Sequence, residues 1–392
     1  MSVNVNATPL PQGGGGGGRV ASIDIMRGLV MMVMMLDHVR ERFFIRWPVG
    51  DPMDIETTDP SLFFGRFAAH FCAPVFVFLT GLSAWLYAHP ASGPRPATGF
   101  LLKRGLFLVL LEIFVINVAW NGDLPPKVFY LQVIWAIGLA MMALALLHRL
   151  PRGWLVALGL TIVCGHNLLS PIAFAPGSWG FVPWTILHDR GFLIAEGAVR
   201  IKVSYPLLPW IGVIMLGYAA GPWYARSMEP ARRRSKLLIA GGVSLASLLV
   251  LRGFNIYGET LDWVPGETAV LTAMSFLNVT KYPPSLAYLL ITLGGACLVL
   301  AWLEGRDNAF LRVSASFGGA PMFYYLLHLF ALLFLQTAAM TLFGPNHGGR
   351  YEFDSIRGVW LMTLVMIPLM YWPCKVFGQF KRRTTMPWVK YL

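Results

Sequence analysis

The amino-acid sequence predicts an all-α integral membrane protein with about ten transmembrane helices and with both termini in the cytoplasm. Of its 392 residues, 56% are hydrophobic and only 13% are charged, and the mean hydropathy is +0.60. Soluble domains usually contain roughly 25% charged residues. Together with an aromatic content of 14%, this composition excludes an ordinary soluble protein, a disordered chain and a nucleic-acid-binding protein.

The apolar runs give the positions of the helices. A helix needs about 20 mostly apolar residues to cross a bilayer. Ten stretches approach that length, of which the fifth is the shortest: 21–38, 62–87, 100–119, 128–147, 153–170, 204–224, 236–252, 285–303, 317–342 and 358–378. Pro74, Pro209, Pro321 and Pro368 lie within or beside these spans, and membrane helices tolerate proline there.

The distribution of basic residues predicts the orientation. With the N-terminus in the cytoplasm, the inner side holds 18 Lys and Arg against 3 Asp and Glu, whereas the outer side holds 12 against 13. Cytoplasmic loops of membrane proteins are enriched in Lys and Arg, so this arrangement is favoured over its inverse. Much of the net charge of +12 then faces anionic lipid at the inner leaflet.

Three segments are predicted along the chain. Residues 1–18 are polar and end in six glycines, which predicts a disordered tail; residues 19–380 form the transmembrane domain, and residues 381–392 form a basic cytoplasmic tail. The first apolar stretch contains Asp24 and Arg27 and lacks a small-residue cleavage pattern, which favours a retained helix over a signal peptide. The four cysteines are far apart, so neither a disulfide framework nor a metal site is predicted.

The first helix carries charges at membrane depth. Its uninterrupted apolar part covers only about half of the length that a bilayer requires, so either Arg27 or the pair Asp37 and His38 must lie inside the membrane. Arg27 and His38 are 11 positions apart, which places them on one face of the helix about 16 Å apart. Asp24 lies one turn before Arg27 and can pair with it. Asp37 projects about 100° away from His38 and is not expected to orient that ring.

These residue types suit acyl transfer. A histidine can remove the proton of a hydroxyl or amine that attacks an acyl carbon, and can then protonate the leaving group. An arginine can bind a phosphate or a thioester-derived oxyanion. A salt bridge between Arg27 and Asp24, and a histidine bonded to a loop at the membrane interface, are the structural alternatives. Glu112, His328 and His70 are further embedded candidates, although neighbouring hydroxyls or carbonyls can also satisfy them.

Three separated segments resemble a known family. The stretches Ser22–Val30 with Asp37–Arg40, His70–Gly81 and Thr280–Leu286 resemble bacterial members of the heparan-alpha-glucosaminide N-acetyltransferase family, and the resemblance extends over residues 19–380. The spacing of Arg27 and His38 is also similar to the first-helix motif of the acyltransferase-3 family. Both resemblances imply a transmembrane acyltransferase of ten or eleven helices that uses cytosolic acyl-CoA.

The resemblance also implies residue roles. Arg27 takes the place of the arginine linked to the acyl donor, and His38 takes that of the catalytic histidine. The lysosomal member of the family has asparagine at the position of Asp37, and its catalytic histidine lies in the loop that follows. This chain has no histidine between residues 39 and 69, so His38 and His70 remain alternative catalytic residues.

The sequence thus predicts an enzyme of the bacterial inner membrane that moves an acyl group, acetyl in the first place, from cytosolic acyl-CoA to a sugar hydroxyl or amine outside. A proton-coupled transporter or a flippase is the alternative, because such proteins also carry Arg, Asp and His inside the membrane. Partners are membrane lipid, acyl-CoA and a glycan acceptor, with no nucleic acid and no metal. The expected residues are His38, Asp37, His70 and His328 for catalysis, Arg27, Asp24, Lys103, Arg104, Glu112 and Arg312 for the donor, and Arg66, Arg252, Asn255, Lys281 and Tyr282 for the acceptor.

Overall fold

A computed structural model describes residues 21–47 and 49–391, so the tail predicted over residues 1–18 lies outside the described residues. The described chain is mostly helical. Its helices are α1 Ala21–Phe43, α2 Pro60–Ala69, α3 Cys72–Ala88, α4 Thr98–Leu111, α5 Asn117–Asn121, α6 Val133–Leu147, α7 Arg152–Gly165, α8 Phe181–Leu187, α9 Leu208–Ala219, α10 Pro230–Gly253, α11 Ala269–Leu277, α12 Leu286–Leu303, α13 Ala309–Gly318, α14 Pro321–Phe343 and α15 Ile356–Arg383. Short π- or 3₁₀-helical turns cover Glu112–Ile116, His166–Leu169, Gly221–Tyr224 and Pro387–Tyr391.

Several of these helices are long and apolar enough to cross a membrane. Within the described residues there are six such segments: Pro60–Ala88, Arg152–Leu169, Pro230–Gly253, Leu286–Leu303, Pro321–Phe343 and Ile356–Arg383. Each coincides with a span predicted from the apolar runs, which confirms a membrane protein with several spanning helices. Helix α1 differs from these six because its apolar run is interrupted by charged residues.

The expectation of an all-α fold was wrong in one respect, since the chain also forms a small sheet. Strands β1 Val128–Leu131, β2 Gly191–Ile194 and β3 Arg200–Val203 pair in the order β1-β3-β2. β1 is parallel to β3, and β2 is antiparallel to it. The fourth predicted span included β1 because its residues are apolar. β1 pairs with a strand some 70 residues away, and such pairing leaves no periodic pattern in the local sequence. The helix α6 therefore begins later than predicted, at Val133.

Two other predicted spans are interrupted. The second span consists of α2 and α3, which meet at His70 and Phe71. The ninth span begins at Pro321 instead of residue 317, because α13 ends at Gly318 and proline takes the first position of α14. Pro368 and a second proline, Pro373, lie inside α15 without ending it, as expected of a membrane helix.

Helix α1 is enclosed by its neighbours. It contacts α2, α3, α12, α13, α14 and α15. The closest approach is to α13: a Cβ atom added at Gly28 would lie 1.8 Å from the carbonyl oxygen of Ser314, and one added at Gly318 would lie 1.8 Å from that of Asp24. Because α1 is enclosed in this way, its polar side chains face protein and internal cavities.

Candidate active site

His38 and His328 form a direct pair inside the bundle. His38 lies toward the Phe43 end of α1, and His328 lies two turns into α14. Nδ1 of His38 is 2.6 Å from Nε2 of His328, and the two rings stack with their centroids 4.9 Å apart. Nδ1 of His328 is 2.8 Å from the carbonyl oxygen of Tyr324. The sequence left open what orients His38, and the structure assigns that contact to His328.

The hydrogen bonds specify the tautomers when both rings are neutral. A carbonyl oxygen only accepts, so Nδ1 of His328 carries a proton and donates it to Tyr324. Nε2 of His328 is then an acceptor, and Nδ1 of His38 donates to it. Consequently Nε2 of His38 carries a lone pair. The pair therefore leaves His38 with one unprotonated, basic nitrogen, as general base catalysis requires.

Aromatic side chains hold the pair in place. The ring of Trp120 meets the His38 ring edge-on with a centroid distance of 5.0 Å, and that of Tyr325 does so at 6.0 Å. The hydroxyl of Tyr324 donates to the carbonyl oxygen of Met31 at 3.2 Å, which ties α14 to α1 about two helical turns before His38.

A small polar chamber lies beside His38. This histidine chamber has a volume of about 70 Å³. Five of the residues predicted from the sequence line it: Asp37, His38, Arg66, Lys281 and Tyr282. Helix α1, helix α2 and the loop before α12 therefore converge at one place, although they are far apart in the chain.

Most charges around the chamber are paired. Asp37 accepts from Arg40 at 3.2 Å and also from Arg66. Arg66 donates in turn to Asp51 at 2.5 Å, and Asp51 is 2.7 Å from Nε2 of His70. Burial alone would raise the pKa of the Asp51 carboxyl, but the neighbouring Arg66 guanidinium and His70 hold this pKa well below its usual range. The series fixes Arg66 in the chamber wall.

Lys281 is the exception. It is only 4% exposed, and its side chain forms no hydrogen bond or ion pair with the residues that the structure describes. Its ammonium lies 5.1 Å from the centre of the Tyr282 ring. Glu259 accepts hydrogen bonds from the backbone of Thr280 and the hydroxyl of Ser285, and so fixes the loop on both sides of Lys281. The chamber thus contains one positioned cation whose donors are available.

A much larger cavity opens toward the Ala21 end of α1. This arginine cavity, of about 780 Å³, is lined by Arg27, Arg104, Arg226 and Arg382 among others. Arg27 donates to Asp24 at 3.2 Å and to the carbonyl oxygen of Leu79 at 3.4 Å, and it also contacts the hydroxyl of Ser83. The salt bridge expected between Arg27 and Asp24 is present, and both residues line the cavity.

The two cavities meet. Met34, Phe76, Val133 and Tyr325 line both of them, and we call these four side chains the collar. Met34 is one helical turn before His38. The collar of apolar and aromatic side chains therefore borders both the arginine cavity and the chamber beside His38.

Comparison with known proteins decides the family. The profile of the family described as "Heparan-alpha-glucosaminide N-acetyltransferase, catalytic" matches residues 19–257, which is more than half of the chain. The chain belongs to this family. Membership confirms the resemblance seen in the sequence and indicates a transferase of the membrane, an N-acetyltransferase by the family's description.

Another relative matches part of the chain. An alignment of 114 residues is 31% identical to the "Succinate dehydrogenase cytochrome b556 subunit" of Paracoccus denitrificans, and it covers 26% of this chain and 83% of that protein. This alignment covers about a quarter of the chain, whereas the N-acetyltransferase family model covers residues 19–257.

Within this N-acetyltransferase fold, some residues expected at the donor site lie elsewhere. Lys103 is exposed on α4, outside the cavity that its neighbour Arg104 lines. Arg312 pairs with Asp307 at 3.4 Å near the protein surface. Glu112 accepts hydrogen bonds from the backbone N–H groups of Ile134 and Trp135, both at 3.2 Å. These N–H groups lie in the first turn of α6 and have no partner within the helix.

Some residues expected at the acceptor and catalytic sites also lie outside the histidine chamber. Arg252 donates to backbone carbonyls of Leu261, Phe276, Ser275 and Asn278, which is a structural role in the loops around α11. Asn255 bonds the backbone of Trp263 in the same region. His70 is fully buried, and it lies behind the chamber wall with Asp51 as its partner.

Sequence reasoning missed several residues that shape this site. Ser83 and Tyr325 are ordinary members of apolar helices, and Asp51 lies in a polar loop without a motif. Lys381 and Arg382 were predicted only to belong to a basic cytoplasmic tail, yet both line the arginine cavity. The only sequence signal for Ser83 was its spacing of four residues from Leu79 on α3. That spacing places the two residues on one face of the helix, but it does not show whether this face lines a ligand cavity or packs against another helix.

Proposed function

We propose that this protein transfers an acyl group, in the first place acetyl, from cytosolic acyl-CoA to a sugar hydroxyl or amine on the outer side of a bacterial inner membrane. The observation that carries the proposal is that two cavities share the collar residues beside His38, which lines the smaller cavity and contacts His328. One cavity is large and basic, and the other is small and polar. A donor and an acceptor that enter from opposite ends can react beside one histidine.

The proposed orientation places the Ala21 end of α1 at the cytoplasm, with ten crossings and both termini inside. The mouth of the arginine cavity contains Arg226, Lys381 and Arg382. These residues belong to the segments whose basic character agrees with the positive-inside rule. The histidine chamber then faces outward, with the acidic and mixed loops on the same side.

The arginine cavity suits acyl-CoA. Its cations can pair with the donor phosphates, for which arginine provides paired charge-assisted hydrogen bonds. About 780 Å³ is in the range of cavities that enclose a cofactor-sized ligand. Arg27 lies between the mouth and the collar, so we assign it to the pantetheine or the thioester, with Asp24 and Ser83 fixing its orientation.

The proposed reaction uses His38 as both base and acid. The acceptor nitrogen or oxygen bonds to the thioester carbon while its proton moves to Nε2 of His38, and the carbonyl electrons move to the oxygen. Collapse of this intermediate breaks the C–S bond, and the departing sulfur takes the proton from Nε2. The products are the acylated acceptor and CoA thiol. His328 accepts the Nδ1–H of His38 throughout and supports the transient imidazolium.

Lys281 is the group that we assign to the developing oxyanion or to the acceptor. Its ammonium lines the histidine chamber without a partner among the described side chains, whereas Arg66 is already engaged by Asp37 and Asp51. A positioned cation in a water-poor site stabilises negative charge more strongly in the transition state than in the ground state.

Purified protein tests the proposal directly. With acetyl-CoA and a glucosamine-type acceptor, we expect release of CoA thiol that matches acetylated acceptor mole for mole. The transporter alternative makes the opposite prediction: uptake of sugar or protons into proteoliposomes, with no acetyl-CoA consumed in the presence of any acceptor.

A further inference from the structure

Four side chains, the collar, lie between the arginine cavity and the histidine chamber and line both of them. We infer that the collar of Met34, Phe76, Val133 and Tyr325 limits the length of the acyl group that this enzyme transfers. The inference rests on the proposed acyl transfer and adds to it a specificity determinant.

The geometry makes the collar the place where the acyl chain must lie. Met34 precedes His38 by four residues, which is a rise of about 6 Å along α1. The Tyr325 ring lies 6.0 Å from the His38 ring. A thioester carbon within reach of His38 Nε2 therefore brings the carbons attached to it into contact with these side chains.

The space beyond the collar does not suit an alkyl chain. The histidine chamber has only about 70 Å³, less than a tenth of the volume of the arginine cavity. Its walls combine Ala69 and Ala73 with Asp37, Glu41, Arg66 and Lys281, and an alkyl chain against these charged side chains displaces the water that solvates them. A methyl group fits against the apolar collar, whereas further methylenes must enter the charged chamber or turn back.

The collar is also held rigidly. Val133 is the first residue of α6, and Glu112 fixes that helix start by accepting from the next two N–H groups. Tyr325 packs edge-on against His328 at 5.5 Å. Phe76 lies on α3, whose Gly81 allows contact with the backbone of α9: a Cβ atom there would lie 2.0 Å from the Ile214 carbonyl oxygen. These contacts fix the Tyr325 ring and the helices that carry Val133 and Phe76, which opposes widening of the collar for a longer chain.

Phe76→Ala and Met34→Ala widen the collar from two different helices. The test measures kcat/KM with acetyl-, butyryl- and octanoyl-CoA for each variant and for the wild-type protein. One methylene in an apolar pocket changes discrimination by about 10- to 200-fold. We expect the wild type to prefer acetyl-CoA, and either variant to raise the butyryl-to-acetyl ratio of kcat/KM by about tenfold or more.

Phe78→Ala is the matched control. Phe78 is two residues from Phe76 on α3, is buried and lines neither cavity, so its loss removes the same volume elsewhere. Its ratio should equal that of the wild type. If the wild type transfers acetyl but both collar variants keep the wild-type ratio, the collar does not limit chain length. If the folded wild type transfers no acyl group to any acceptor, the proposed function itself fails.

Discussion

The imidazole rings of His38 and His328 stack 4.9 Å apart, with Nδ1 of the first 2.6 Å from Nε2 of the second. The two residues are 290 positions apart in the chain. In many hydrolases and transferases a carboxylate orients the catalytic histidine, whereas His38 contacts a second histidine, which is itself bonded to the carbonyl oxygen of Tyr324. Under the proposed mechanism His328 is a positioning residue, and its removal should change turnover and not donor binding.

His328→Leu should lower kcat by about 10- to 100-fold, since it removes a hydrogen bond that strengthens when His38 is protonated. The KM for acetyl-CoA should stay near that of the wild type. His328→Gln should recover part of the lost turnover, because its amide oxygen can accept from Nδ1 of His38. Steady-state kinetics on the three proteins check this, and equal loss in both variants would argue against an orienting hydrogen bond.

Arg27→Ala should weaken acetyl-CoA binding by at least about tenfold, because a hydrogen bond to a charged group contributes about 1.5–3 kcal/mol. Lys103→Ala is its control: Lys103 is a basic residue near the same end of the bundle, but it is exposed and outside the arginine cavity. Its affinity should equal that of the wild type. Calorimetric titration with acetyl-CoA measures both, and similar losses in the two variants would indicate that only general positive charge matters.

Gly318→Ala should destabilise the protein by about 1–3 kcal/mol, the usual cost of overpacking. The new Cβ atom would lie 1.8 Å from the Asp24 carbonyl oxygen, and backbone atoms on α1 and α13 have little room to move apart. Gly242→Ala is the control, because no atom lies within 4 Å of the added group. We expect a lower thermal midpoint in detergent for the first variant and an unchanged or slightly higher one for the second. Equal midpoints would contradict the close packing of α1 on α13.

His70→Ala should reduce acyl transfer by less than about tenfold, although the family resemblance made His70 a rival for the catalytic role. Its ring contacts Asp51 behind the chamber wall, and Asp51 keeps its bond to Arg66 when the ring is lost. A loss of turnover larger than that of His38→Ala would reassign the base.

The sequence predicted much of this arrangement because charges in apolar helices are rare and carry information. Arg27, His38 and Asp24 were identified from one helix, and their common face follows from helical periodicity alone. His328 was named as an embedded histidine, but its contact with His38 depends on the packing of α14 against α1. The sheet and the structural role of Arg252 escaped prediction for a related reason: strand pairing and bonds to distant carbonyls depend on residues far away in the chain, which no local pattern encodes.

The positions of Lys281 and Tyr282 also depend on contacts with residues that are distant in the chain. Their position before a predicted helix predicted that they lie at one end of the bundle. Both line the chamber, and Glu259 fixes their loop through its bonds to Thr280 and Ser285. The collar was not predicted at all. Met34, Phe76 and Val133 look like any other apolar residues of membrane helices until two cavities are found on either side of them.

The most direct test of the central claim is single-turnover transfer from labelled acetyl-CoA to a glucosamine-type acceptor by wild type and by His38→Ala, both at saturating donor. General base catalysis contributes about 10²- to 10⁴-fold. We expect His38→Ala to bind acetyl-CoA with wild-type affinity and to transfer at least about a hundredfold more slowly. Transfer by His38→Ala at the wild-type rate, with the protein folded and the donor bound, would contradict the assignment of His38 as the base.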